Sequence, residues 1–436
     1  MKEGAKEVFL KIIVNVARFT LAVVFVFSGF VKANDPVGMA FKLRDYATAF
    51  GIQQIPFFSL VIAAGALALL EFSLGIYLLF GMSRVQIARI TTLFMGTMTL
   101  LTVYVWAFDP VSDCGCFGDV LVISNEVTVL KNIVLLAFAI INLKYYNLHL
   151  KLVGHNTQWL VTLFSTVYIL GYTIYCVYAL PVLDFLPYKV GTNLRFAQST
   201  RDNAAFDVKI VYEKGGERME LNDDDDDPDS TWHYVETKRT KIATENLLKT
   251  ANLFITNPET GEDVTEDVLY ESGYTFLLII PNLLHADEGC IDLVNETYEY
   301  ALDNEYGFYC LTGSESKEEQ EYWQEHTGAE YPFYYCDDQE LKTVIRSAPG
   351  LLLLKDGVVI RKWSNYRMPD EYVLCDRLEN LEVGTLQQED KMLGILKSFF
   401  FPLLVFVLID RVGSGFSLYR TWKRKSKKMH ILKLEN

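Results

Sequence analysis

The chain has 436 residues, half of them hydrophobic, and a formal net charge of −15. That apolar content, gathered into long uncharged runs, excludes a disordered or purely soluble protein. No nucleic-acid reading survives either, because the one basic cluster, in the tail, is explained by membrane topology and anionic lipid headgroups.

Windows of about 20 nearly uncharged residues, at 1.5 Å of rise each, are long enough to cross the roughly 30 Å hydrocarbon core. The first runs over 9–31. Its length, with no small-x-small site before polar sequence, argues against a cleaved signal peptide. The stretch after it, 32–57, contains an amphipathic segment, Met39-Ala40-Phe41-Lys42-Leu43-Arg44-Asp45-Tyr46, read either as an interfacial helix closing the bundle or as an ordinary loop. Further spans are expected at 58–81, 86–108, 125–146 and 159–181. Between the third and fourth lies Cys114-Gly115-Cys116, where a span gives way to solvent.

Two charges interrupt the spans deeply. Arg18 and Glu71 each lie nine or ten residues, about 14–15 Å, above the inner ends of their helices. Unpaired charges there cost about 2.5–3.5 kcal/mol each on insertion scales, so the expectation is an Arg18–Glu71 ion pair inside the bundle. It serves either packing specificity or a relay. Lys131, with Asn132, is placed one or two turns from the cysteine loop, as a snorkelling lysine or as a cation favouring thiolate. Cys176, in span five, lies at a depth from which it can approach the same loop.

Residues 186–250 read as β-rich: Phe206–Tyr212 and Glu217–Leu221 flank Gly215-Gly216, a hairpin signal. The run Asp223 to Asp227 should be a solvated acidic loop. It lacks the spaced oxygens and glycine of a calcium site, so no metal is assigned. Over 251–385 strands and helices alternate. Strands are expected at Tyr274–Ile280, Phe308–Thr312 and Pro332–Cys336, and helices near 290–302, 317–326 and 339–345. A hairpin, 351–354 with 358–363, and a last helix near Pro369–Leu378 complete the segment. A sixth span occupies 390–412, and 413–436 is a basic tail.

The charges divide sharply. Residues 185–390 hold 43 acidic and 18 basic side chains, while the remainder is net positive. Lysines and arginines gather before span one, between spans two and three, between four and five, and after span six. With the positive-inside bias, both termini are expected in the cytoplasm of a bacterial inner membrane. The Cys114–Cys116 loop and the 185–390 domain are then periplasmic.

Two family resemblances follow. The segment 251–385 resembles a thioredoxin-like domain on the strength of Ala348-Pro349 before the hairpin and Asp287-Glu288-Gly289-Cys290 at a helix start. The resemblance implies that Pro349 is cis, and that Cys290 stands at the second cysteine of the usual Cys-x-x-Cys, with Asp287 replacing the first. Asp287 cannot perform thiol exchange; Cys290 alone can form a mixed disulfide, or be a helix-start cysteine in a domain that only binds. Cys310, Cys336 and Cys375 are expected to be buried and inert. The first five spans, about 1–185, resemble MauE/DoxX-type membrane proteins. That rests on Phe27-Ser28-Gly29-Phe30-Val31-Lys32 with Asp35-Pro36, on Glu71-Phe72-Ser73-Leu74-Gly75 and on Cys114-Gly115-Cys116-Phe117-Gly118; the whole resembles a Bacteroidetes-type version with an added thioredoxin-like domain.

The fold class expected is therefore an α-helical transmembrane bundle with a periplasmic α/β thioredoxin-like domain and a β-rich extension. A bridge across one intervening residue closes a small strained ring, which gains little entropy as a staple and is readily reduced. The resemblance implies redox or electron-transfer work, with a membrane quinone as a candidate cofactor and lipid plus a periplasmic thiol client or membrane complex as partners. The functional expectation is a thiol–disulfide relay through Cys114, Cys116 and Cys290. The alternative is a non-catalytic scaffold whose thioredoxin-like domain binds an envelope partner.

Overall fold

The computed structural model describes residues 2–52, 54–111, 114–121, 123–195, 206–214, 217–222, 233–241, 253–386 and 391–432. They fall into two compact units, Met1–Leu183 with Glu389–Asn436, and Asp184–Gln388.

Among the described residues the first unit contains six helices apolar and long enough to cross a membrane: Lys6–Asn34, Phe57–Phe80, Arg84–Phe108, Asn125–Lys144, His155–Ala179 and Lys391–Gly413. The expected spans are thus met to within a few residues, and the chain is a multi-pass membrane protein. In full, α1 is Lys2–Asn34, α2 Pro36–Ala49, α3 Phe57–Phe80, α4 Arg84–Phe108, α5 Asn125–Lys144 and α6 His155–Ala179.

The packing of α1 on α3 organises the bundle. Glycines let the two backbones approach: a Cβ on Gly29 would lie 2.4 Å from the Phe72 nitrogen, and one on Gly75 would lie 2.6 Å from the Val26 nitrogen. Small residues serve this purpose in membranes, where packing rather than water drives association. These contacts fix an antiparallel register in which Ser28 faces the Glu71 region and Arg18 faces Gly81. On the other flank α4 and α5 are joined by Asn132, which donates to Thr102 Oγ1 at 3.1 Å. The sixth span packs on α6 through Phe164, Tyr168, Phe399 and Phe406. Its one acid, Asp410, is held at the start of α6, accepting from the Gly154 backbone and from Thr157 Oγ1 at 2.9 and 2.7 Å. Orphan amides at a helix N-terminus are a favourable place for a carboxylate.

The segment 32–57 forms α2. Asp35 caps it by accepting from Gly38 N at 2.8 Å, and Pro36 opens its first turn, which suits a residue with fixed φ and no N–H.

The second unit begins with a three-stranded antiparallel sheet, β1 (Phe206–Lys214), β2 (Glu217–Asn222) and β3 (His233–Lys241), in order β2-β1-β3. It contains the expected hairpin strands. The Gly215-Gly216 turn and the acidic run Asp223–Asp227 lie outside the described residues. After a short α7 (Thr265–Leu269) comes a five-stranded sheet of order β6-β5-β4-β7-β8. Its strands are β4 (Tyr274–Ile280), β5 (Gly307–Thr312), β6 (Phe333–Tyr335), β7 (Gly350–Lys355) and β8 (Val358–Ser364). The helices α8 (Ile291–Asp303), α9 (Lys317–Thr327) and α10 (Asp338–Val344) cross between them. Strand β4 is buried at all seven positions, as a central strand covered on both faces must be. The parallel β4–β5 pair, the antiparallel hairpin β7–β8 and the cis Ala348–Pro349 bond before β7 make this a thioredoxin-like fold.

One expected element is absent. Residues 369–378 form turns rather than a last helix. Asp370 Oδ1 accepts from Val373 N, and the Asp376 side chain accepts from Arg377 N and Asn380. Short carboxylates that bond their own neighbouring backbone compete with helix continuation. The turn leaves Cys375 exposed, against the expectation of burial, whereas Cys310 and Cys336 are buried.

The α1–α3 contact is directly testable. Gly29→Ala should lower denaturant stability in detergent by about 1–3 kcal/mol through overpacking. Gly96→Ala, at a site with no atom within 4 Å, should be neutral or slightly stabilising.

Candidate functional site: the Cys114–Cys116 loop

The loop between α4 and α5 folds back onto the helices, and Cys114 and Cys116 form a disulfide. Gly115 adopts φ 64°, the left-handed region that glycine enters without strain, and so lets the chain reverse between the two sulfurs. Three side chains tie the loop down by its carbonyls. Lys32 Nζ donates to Cys116 O at 2.6 Å, Ser28 Oγ donates to the same oxygen at 2.8 Å, and Tyr46 Oη donates to Cys114 O at 3.1 Å. The Lys42 stem of α2 lies beside Gly115. Cys114 is 7% exposed, while Cys116 is half-buried.

Beneath the loop, Lys32 also donates to Glu71 Oε2 at 2.9 Å and to Ser28 Oγ at 2.8 Å. Lys32 and Glu71 are 2% and 3% exposed, so this is a buried ion pair. The expected Arg18–Glu71 pair does not form. Arg18 donates to Leu150 O at 2.6 Å and stacks on Phe19 at 4.5 Å, at the other end of the bundle. In the α1–α3 register Arg18 stands about ten residues, roughly 15 Å, from the level of Glu71. Helical side chains lean toward their N-terminus, so Lys32 reaches back one turn to meet Glu71 at the level of Ser28. Lys32 was the residue that depth counting missed; the Ser28-x-x-x-Lys32 spacing, one helical face at i and i+4, was the available signal.

Beside the disulfide is a cavity of about 40 Å³, bordered by Cys116, Glu71, Lys131, Phe25, Phe94 and Met98 among others. Lys131 Nζ lies 4.1 Å above the centre of the Phe117 ring, a cation–π contact adjacent to Cys116. Cys176 is not part of this site: its neighbours are Tyr172 and the Val182 backbone. Among the described residues no group of three or more metal-ligating side chains occurs.

The second unit holds its cysteines differently. Cys290 is buried ahead of α8, its thiol directed at Asp287 O, and burial with the Asp287 charge pushes its pKa up to about 11. Asp287 is anchored on every side. Its N–H donates to Ala348 O, beside cis-Pro349, at 3.1 Å; its carboxylate accepts from Gly289 N and from Asn365 Nδ2 at 3.0 and 2.6 Å. Pro349 is buried and fixes this corner. Asp287 thus links Cys290 to the Ala348–Pro349 corner.

Residues 10–145 match the family model described as methylamine utilisation protein MauE. No curated protein matches. Five solved chains are similar to this one, two of which illustrate the range. One is the thioredoxin domain of a thiol-disulfide oxidoreductase from Bacteroides vulgatus (16% identity, 26% of this chain and 84% of that one, TM-score 0.21). The other is an uncharacterized conserved protein from Geobacillus kaustophilus (20% identity, 32% and 84%, TM-score 0.24). Neither likeness bears on what this chain does.

Two measurements test the geometry. Glu71→Gln leaves Lys32 charged and buried, and should cost about 3–5 kcal/mol of stability, a loss that Lys32→Met/Glu71→Leu largely recovers. In the reduced protein the exposed Cys375 should be alkylated readily at pH 7–8. Cys290 should lag far behind it and gain reactivity only as pH rises toward 11, since only the thiolate reacts. Comparable rates for the two would show the Cys290 pocket to be open.

Proposed function

We propose that this MauE-type membrane protein with a thioredoxin-like domain is a membrane thiol–disulfide relay whose working pair is Cys114 and Cys116. The observation that carries the reading is a disulfide, Cys114–Cys116, held by its carbonyls over the buried Lys32–Glu71 pair with a cavity at its side. A staple has no need of charged groups beneath it. Exchange does, because thiolate character sets the rate.

In this reading a client dithiol reduces the pair: its two electrons break the Cys114–Cys116 bond, its two protons go to the reduced pair or to water, and the client leaves as a disulfide. The reduced pair passes both electrons to the disulfide of a second partner protein, whose two sulfurs are protonated as they leave. A membrane quinone is not drawn as acceptor. The cavity offers suitable neighbours in Phe25, Phe94, Glu71 and Lys131, but its volume of about 40 Å³ is smaller than the ~150 Å³ of an apolar protein cavity that admits benzene. The charge distribution along the chain favours both termini in the cytoplasm of a bacterial inner membrane, with the loop and the 185–390 domain in the periplasm. A protonated, buried Cys290 favours the second unit as the surface that binds the client rather than as another exchange centre.

That same feature supports the second reading, a non-catalytic scaffold. Trapping free thiols in living cells should find Cys114 and Cys116 partly oxidised, with the fraction moving between reducing and oxidising growth. Identical labelling in both conditions would sink the relay. A Cys114→Ser/Cys116→Ser variant that fully complements a deletion would favour the scaffold.

A further inference from the structure

The charges gathered around Cys116 do not balance. Facing the loop are Lys32 from α1, Lys42 and Tyr46 from α2, Glu71 from α3, Asp119 from the turn that follows, and Lys131 from α5. Lys42 and Asp119 have contacts of their own. Lining the cavity beside Cys116, or reaching its edge, are two ammonium groups and one carboxylate. Lys32 uses its charge on Glu71 at 2.9 Å. Lys131 lies within electrostatic range of both, repelled by Lys32 and attracted by Glu71, and the short-range partner of its ammonium is the face of Phe117. It borders both the cavity beneath the loop and the smaller one enclosed by the loop itself. An excess positive charge in such a low-dielectric site calls for an anion. The disulfide supplies none; a thiolate at Cys116 supplies one.

The two cysteines also differ in burial. Cys114 is buried below α2, its carbonyl bonded to Tyr46, and does not border the lower cavity. Cys116 is half-buried and borders both cavities.

We propose that Cys116 is the exchanging sulfur, that Lys131 is the cation holding its thiolate, and that Cys114 is the resolving sulfur. This deepens the relay reading and rests on it. In the reduced protein the Cys116 thiolate attacks one sulfur of a partner's disulfide. The new Cys116–partner bond forms as the partner's own S–S bond breaks, and its departing sulfur takes a proton from water. Cys114 then gives up its proton and attacks Cys116 Sγ, re-forming the Cys114–Cys116 bond. The partner's second sulfur leaves and is protonated. Two electrons have moved to the partner, with one proton from Cys114 and one from water, and its disulfide has become a dithiol.

The test uses the full chain in detergent, reduced with dithiothreitol and freed of it, in a Cys375→Ser background. Iodoacetamide alkylation of single sites is followed against pH by peptide mass spectrometry. In Cys114→Ser the Cys116 profile should have its midpoint below the ~8.5 of a free cysteine. In Cys116→Ser the remaining Cys114 should react much more slowly at pH 7. Adding Lys131→Met to Cys114→Ser should raise the Cys116 midpoint by about one unit and cut the pH 7 rate about tenfold, and Lys131→Arg should restore both. Lys131→Gln replaces the Met variant should that one not fold. An unmoved midpoint in the neutral variant, or a Cys114 that outpaces Cys116, overturns the proposal. These failures are separable from failure of the relay: if thiol trapping in cells shows the pair cycling while the Lys131 profile stays flat, only the present assignment falls. If the pair never cycles, the relay falls whatever Lys131 does.

Discussion

The Lys32–Glu71 ion pair is the constraint on which the site depends. A carboxylate and an ammonium, both almost wholly buried among apolar helices, are tolerable only as partners. Their pairing requires α1 and α3 to lie in one register, which the glycine contacts at Gly29 and Gly75 make possible. Once Lys32 is fixed, its remaining donors are directed at Ser28 and at the carbonyl of Cys116. The electrostatics of the bundle and the position of the disulfide are thus one problem with one solution. The loop is held by its backbone, so its sulfurs are free of the hydrogen bonds that hold it.

The cysteines of the two units are arranged by opposite logic. Cys114 and Cys116 are joined, near cations and beside a cavity. Cys290, Cys310 and Cys336 are buried, and desolvation raises each of their pKa values. The thioredoxin-like corner has its cis-proline beside a helix start, where Asp287 is secured by Ala348, Gly289 and Asn365.

The sequence made the spans legible because hydrocarbon thickness leaves little choice: about 20 apolar residues cross or they do not. The strands and helices of 274–364 were equally readable, since β4 is apolar at every position and the turns between elements carry Gly, Pro or Asp. The last expected helix, near Pro369–Leu378, failed for a local reason, the competition of Asp370 and Asp376 for backbone N–H groups. Arg18–Glu71 failed for a global one: depth was counted from the ends of separate spans, whereas the true register comes from where Gly29 and Gly75 meet their neighbours.

From sequence alone came the six spans, the acidic domain, the paired cysteines at a span end and the aspartate in place of a thiol, because each is written in composition or in near neighbours along the chain. Tertiary structure alone decided which lysine meets Glu71, which carbonyl that lysine holds, that Lys131 lies over Phe117, and that Cys116 rather than Cys114 faces the cavity. Those are contacts between residues 39 to 88 positions apart for Lys32, Ser28, Glu71 and the loop. They depend on helix register and on the N-terminal lean of helical side chains, which hydropathy patterning cannot encode.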